Sequence, residues 1–194
     1  MTAPHSLRIS TIGYVFQTLR VCATLWDGRQ WWPIYFYDSQ NTFEVQHGVE
    51  SERNPYNARC LEEAWRDKKI VHGHHAGLSD MFVPVLSKKR VEAILVTGPF
   101  STSRATSAEI LERWRWLTGR QGHPGDPEFA YYLSITLSTL VLEGPHLVTY
   151  RRLLVSLARM MTAVTLRLIE DLEDLFIWAR WLQFQPRAII LNSL

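Results

Sequence analysis

Two pairs of short apolar runs, each folded about a polar turn, restrict what this chain can become more than any other feature. Val21-Cys-Ala-Thr-Leu-Trp26 stops at Asp27-Gly28 and is followed by Gln30-Trp-Trp-Pro-Ile-Tyr-Phe-Tyr37. Met81 to Leu86 and Val91 to Thr97 flank the polar turn Ser87-Lys-Lys-Arg90 in the same way. Apolar runs on either side of such a turn predict antiparallel hairpins. Pro33 has no amide hydrogen to give to a ladder, so it sends its run to a sheet edge or a bulge. Alternation along that run would place Trp31, Tyr35 and Tyr37 on one face and Trp32 and Phe36 on the other.

Helical patterns surround the hairpins, so the predicted class is α+β. Residues 7–20 read as a short helix with Leu7, Ile12, Val15, Phe16 and Leu19 on its apolar face. Residues 38–56 contain Asp38, Ser39, Asn41, Asn54 and Pro55 without periodicity and are expected to form a connecting loop. From Asn57 or Ala58 to Lys69, the spacing of Leu61, Ala64 and Trp65 opposite Glu62, Glu63, Arg66 and Asp67 predicts a short amphipathic helix. Thr106-Ser107 followed by Glu109 signals a helix over 107–118, ended by Gly119. Asp126-Pro127 opens another helix, expected to run to Leu142 before Gly144-Pro145 breaks it.

Beyond Leu147 the apolar residues recur in steps of three and four: Leu147, Tyr150, Leu154, Leu157, Met161, Val164, Leu168, and after a slip Leu172 and Leu175. Such a seam packs on another helix, which would make residues 147–175 a homodimer contact, or it packs on the chain's own domain. The expected division is a sensory domain over 1–144 and a C-terminal helical segment over 145–194 for signalling or dimerisation, whose helix would transmit ligand occupancy. Trp114, Trp116, Trp178 and Trp181 read as packing residues.

The charge balance excludes some functions. With 21 basic and 19 acidic residues and a formal net charge of +2, the chain carries no basic footprint for direct nucleic-acid binding. The N-terminus lacks the apolar core of a signal peptide, and Arg151, Arg152, Arg159 and Arg167 rule out a membrane span over 147–168. A cytoplasmic protein is expected. Cys22 and Cys60 match no disulfide framework and are read as buried thiols.

Chemistry concentrates between Cys60 and Phe100. His72, His74 and His75 with Cys60 offer imidazole and thiolate, the ligand types of zinc and other borderline metals. In a strand, His72 and His74 share a face and His75 points away, so at most two chelate unless Gly73 or Gly77 makes a sharp turn. No nucleophile signature surrounds Cys60, and an enzyme is not expected.

In chain order, Cys60, the helix through Trp65, His74-His-Ala-Gly-Leu78, Asp80, Val83-Pro-Val85, Val91 and Gly98 resemble the PocR-type sensory domain. His74 stands where that family has a second cysteine, and Pro99 where it has glutamine. The resemblance implies a PAS/GAF-like antiparallel sheet flanked by helices, with a long C-terminal helix. It also implies a small-molecule ligand, such as a hydrocarbon derivative, and an output protein or domain of a bacterial regulator. The expected pocket lies between the sheet and residues 38–78, with Trp31, Tyr35, Cys60, His74, His75, Leu78 and Phe100 as walls and His75 and Asp80 as polar anchors. No cofactor is expected on this reading. The alternatives are a redox sensor holding zinc or haem through Cys60, His72 and His74, and a non-catalytic interaction module.

Overall fold

A computed structural model describes residues 4–162. The elements run α1 (Pro4–Leu19), β1 (Ala23–Trp26), β2 (Trp31–Tyr35), α2 (Gln40–Gln46), α3 (Glu50–Asp67), β3 (Val71–His75), β4 (Leu78–Ser87), β5 (Arg90–Phe100), α4 (Ser107–Thr118), α5 (Pro127–Ser138) and α6 (Pro145–Thr162). All strand pairs are antiparallel, and the sheet order is β2-β1-β5-β4-β3. The architecture is therefore α+β, a five-stranded antiparallel sheet flanked by helices. Among the described residues, no helix is long and apolar enough to cross a membrane.

Both predicted hairpins form, and their turns have local causes. Asp27 Oδ1 accepts from the amides of Arg29 and Gln30 at 2.8 and 2.9 Å, and Oδ2 accepts from Trp32 Nε1 at 2.8 Å. Pro33 lies in β2, an edge strand, as its missing amide requires. Between β4 and β5, Lys88 and Lys89 both have positive φ, 46° and 66°, giving the tight turn whose twist suits a hairpin. A third hairpin joins β3 to β4 through Ala76 and Gly77, at φ 49° and 79°. The histidine cluster is thus a regular strand.

Three expectations are corrected. Residues 38–56 are mostly helical: α2 fills part of the expected loop, and α3 begins at Glu50 rather than at 57 or 58. Pro55 lies inside α3, where it removes one rung of the helix. The helix continues past it because Arg53 and Tyr56, on either side, are anchored by buried partners described below. The helix after Asp126-Pro127 ends at Ser138, short of Leu142. Its expected last turn instead runs beside the end of β5, where Ser101 N donates to Leu140 O and Leu142 N to Ser101 O, both at 2.8 Å. Finally, Trp31 and Tyr35 do not share a face. Ala23 pairs with Tyr35 but Thr24 pairs with Pro33, so Ile34 is an extra residue on β2 and the alternation changes phase there.

The sheet is covered on both faces. On one face, Met81, Val83, Val85, Ala93, Leu95 and Phe100 pack with Ile12 and Phe16 of α1 and Tyr150, Leu154, Leu157 and Met161 of α6. Burying each such large side chain contributes roughly 1.5–3 kcal/mol. On the other face, Phe82, Ile94 and Val71 meet Tyr56, Cys60, Leu61 and Ala64 of α3. A further cluster of Phe43, Ile110, Trp114, Leu117, Phe129, Tyr132 and Ile135 holds α2, α4 and α5 together.

The heptad positions from Tyr150 to Met161 are thus buried against the chain's own sheet, with Leu147 partly so. Val164, Leu168, Leu172, Leu175, Trp178 and Trp181 lie outside the described residues. Trp114 is fully buried, as a packing residue should be, whereas Trp116 is 37% exposed.

Candidate functional site

A groove of about 820 Å³ lies between the β1–β2 hairpin and α3. This is where a pocket between the sheet and residues 38–78 was expected. Trp26 and Trp31 face each other across the hairpin as register partners, so their indoles leave the same side of the sheet. From α3, Asn54, Asn57, Ala58, Leu61, Glu62, Trp65 and Arg66 recur at helical spacing and complete the lining with Gly28.

The indoles of Trp26 and Trp65 stand 5.4 Å apart with their planes at 77°, two walls of a corner. Gly28 has φ +95°, and a Cβ there would stand 3.5 Å from the Trp65 ring, so the turn closes over the indole. Trp31 is 44% exposed, a large apolar surface left open beside this corner.

One turn away, the same helix enters a buried ion network. Arg53 donates from Nη1 to Asp80 Oδ2 at 3.0 Å and from Nη2 to Glu44 Oε1 at 3.1 Å, and its Nε also contacts Glu44. Arg113 Nη2 donates to Glu44 Oε1 at 2.8 Å, and Tyr56 Oη donates to Asp80 Oδ2 at 3.0 Å. One network therefore ties α2, α3, β4 and α4.

Burial and pairing compete in these groups, with opposite outcomes for the two acids. Burial raises the Asp80 carboxyl above its ordinary range, against the pull of Arg53 and Tyr56. Burial also acts upward on Glu44, but the hydrogen bond and charge of Arg53, with the charge of Arg113, hold it below the usual value. The Arg53 guanidinium is held firmly protonated: its two acids outweigh the cost of burial.

Two glycines let the chain approach this network closely. A Cβ at Gly73 would stand 2.3 Å from Tyr56 Oη, so the ring lies directly on the β3 backbone. A Cβ at Gly98 would meet Asp80 Oδ1 at 2.0 Å.

The predicted site residues divide between the two faces. Trp31 lines the groove. Cys60 is buried among the residues beneath α3, and its thiol is raised by burial, which keeps it in the weakly nucleophilic form. His75 stacks on Tyr56 at 5.1 Å, Leu78 is its register partner, and Asp80 sits in the ion network, all on the α3 face. The Nε2 of His75 is buried without a hydrogen-bond partner among the described residues.

Tyr35, His74 and Phe100 lie on the opposite face. Tyr35 packs with the α1–α6 core. Phe100 stacks on His72 at 5.7 Å, and His74 accepts or donates at Nδ1 with Ser79 Oγ at 2.9 Å. His72 and His74 do share a face, with ring centres 4.4 Å apart, but the sheet separates them from Cys60. Among the described residues, no group of three or more His, Cys, Asp or Glu side chains is placed to hold a metal ion. The alternative site of Cys60, His72 and His74 is corrected on this ground.

Sequence reading missed Glu44, Arg53, Tyr56, Arg113, Trp26 and Trp65 as site residues. The charged ones resemble a solvated helix surface until tertiary pairing is known. The tryptophans offered a signal: Trp26 and Trp31 bracket the Asp27-Gly28 turn, and such a pair meets across a hairpin. Compared with known proteins, the chain matches no family model, no curated protein and no solved structure.

Proposed function

We propose that this chain is a non-catalytic, cytoplasmic sensing domain that binds a small molecule in the groove between the β1–β2 hairpin and α3. The observation that carries this reading is the groove itself: about 820 Å³, walled by Trp26, Trp31 and Trp65, with Asn54, Asn57, Glu62 and Arg66 as polar groups. A concave site of this size, apolar with few polar anchors, suits a small organic ligand. The resemblance of residues 60–100 to the PocR-type sensory domain supports the same reading.

Helix α3 is the natural transmitter. Its Trp65 and Asn57 line the groove, while its Arg53 and Tyr56 hold Asp80, and through Glu44 the network reaches α2 and α4. A ligand that favours one seat of α3 shifts the network by its differential affinity for the two arrangements. The signal would then pass to an output protein or domain.

The test is thermal unfolding and tryptophan fluorescence against aromatic, aliphatic, diol-like and charged small molecules. At one hundred times its dissociation constant, a ligand should stabilise the fold by about 2.7 kcal/mol. Trp31→Ala should remove that stabilisation. Absence of saturable binding across the set would overturn the proposal.

A further inference from the structure

We propose that the groove recognises an organic ammonium cation, seated by its positive head in the corner formed by Trp26 and Trp65 and neutralised by Glu62. This rests on the reading of the groove as a ligand site and names the ligand's chemistry.

Three features converge. The first is geometry: the Trp26 and Trp65 planes cross at 77°, with ring centres 5.4 Å apart. A compact rounded head can touch two walls of such a corner at once, whereas a flat ring uses one platform. The second is electronic. Indole faces carry the negative lobe of the ring quadrupole, and tryptophan is the strongest of the aromatic partners for a cation.

The third is charge. Glu62 and Arg66 are the charged side chains of the lining. Arg66 is already engaged, donating from Nε to Asp67 Oδ1 at 2.8 Å, with Nη2 turned to the other carboxylate oxygen at 3.4 Å. Glu62, exposed to solvent, makes no hydrogen bond or close ion pair among the described residues, and its charge reaches Arg66 one turn on only behind the closer Asp67, so the groove keeps a carboxylate without a direct partner. An anionic ligand would meet that carboxylate, and a neutral one would leave it without a counterpart. The volume exceeds a small ammonium head and leaves room for a chain or ring extending past Trp31.

The experiment uses tryptophan fluorescence and calorimetry on the full chain with choline and phenyltrimethylammonium. The neutral control is 3,3-dimethyl-1-butanol, which replaces the choline nitrogen by carbon. The cations should bind saturably, and choline roughly ten-fold or more tighter than its isostere. Glu62→Gln should narrow that ratio, Glu62→Asp should largely restore it, and Trp65→Leu should abolish binding. Should Trp65→Leu unfold, Trp31→Ala and Glu62→Gln at exposed positions supply the same comparison.

Equal affinity for choline and its isostere would overturn ammonium recognition while leaving the groove an apolar ligand site. Binding of neutral compounds with no cation bound would do the same. If no compound of either kind bound, the sensing proposal would fall as well.

Discussion

On the α6 side of the sheet, Met81, Val83, Val85 and Leu95 meet Phe16, Leu154, Leu157 and Met161 in a continuous apolar layer. Two of its polar groups are paired, Thr97 with Tyr150 at 2.6 Å and Ser79 with His74 at 2.9 Å, while His72 Nε2 is buried without a hydrogen-bond partner among the described residues. On the α3 side, Phe82 and Ile94 share the surface with Asp80, whose partners come from a helix 24 and 27 residues earlier in the chain. An apolar layer gains nearly in proportion to area and tolerates small displacements of its helices. Directional bonds between four elements do not, because each demands its own distance and angle. The α6 face is therefore suited to hold the sheet, and the α3 face to report a displacement.

The largest test of this contrast is Arg53→Met, which strips Asp80 and Glu44 of a buried counter-ion. Chemical denaturation should show a loss of about 3–5 kcal/mol. On the opposite face, Leu154→Ala should cost about 2–5 kcal/mol through lost burial and the cavity left behind. Ligand affinity in the groove should survive Leu154→Ala, whereas Arg53→Met should weaken coupling between ligand and α4. An equal loss of that coupling in Leu154→Ala would erase the division between faces.

Removing one polar partner from the apolar face should cost less. Tyr150→Phe leaves the Thr97 hydroxyl buried and unpaired, a loss of about 1–3 kcal/mol, and adding Thr97→Val should recover most of it. Failure of the double variant to recover would show that this pair belongs to a wider network.

Acidification tests the histidines. Burial lowers both imidazoles below their ordinary value of 6.5, helped by Arg53 at His75 and by His74 and Arg151 at His72. The unfolded chain therefore takes up protons first, so stability present above pH 6.5 should fall as the pH drops through the lower folded-state values. Melting temperatures between pH 7.5 and 5.5 should decline, and His72→Gln with His75→Gln should flatten the decline. The smallest expected stability effect is that of Trp31→Ala, within about 0.5 kcal/mol of the parent by denaturation. The same substitution should remove ligand binding.

The parts of the fold legible in the sequence were those with local causes. Thr106 and Glu109 form the reciprocal cap of α4, and the helix spans Ser107–Thr118 as its signals required. Asp27 builds its turn from its own carboxylate. The stretch 38–56 was opaque for the opposite reason. Nothing near Asn54-Pro55 advertises a helix, and what stabilises α3 there is the burial of Arg53 and Tyr56 against Asp80, a residue far along the chain. The bulge at Ile34 was equally hidden, since one extra residue reverses the faces of Trp31 and Tyr35 without altering composition. The groove was legible as a place, between sheet and helix, and in Trp31, but Trp26 and Trp65 became partners only through the hairpin register and the seating of α3.

Pro55 has a mechanical consequence. Without an amide hydrogen it leaves the Ser51 carbonyl without its helical partner, and a helix bends most readily where a rung is missing. That gap falls beside Arg53, the clamp on the charges, and before Asn57, Leu61 and Trp65, which carry most of the groove. Helix α3 thus carries its weakest rung between the clamp at Arg53 and the stretch that lines the groove, and the packing of Tyr56, Cys60, Leu61 and Ala64 on the sheet holds the two parts in one line.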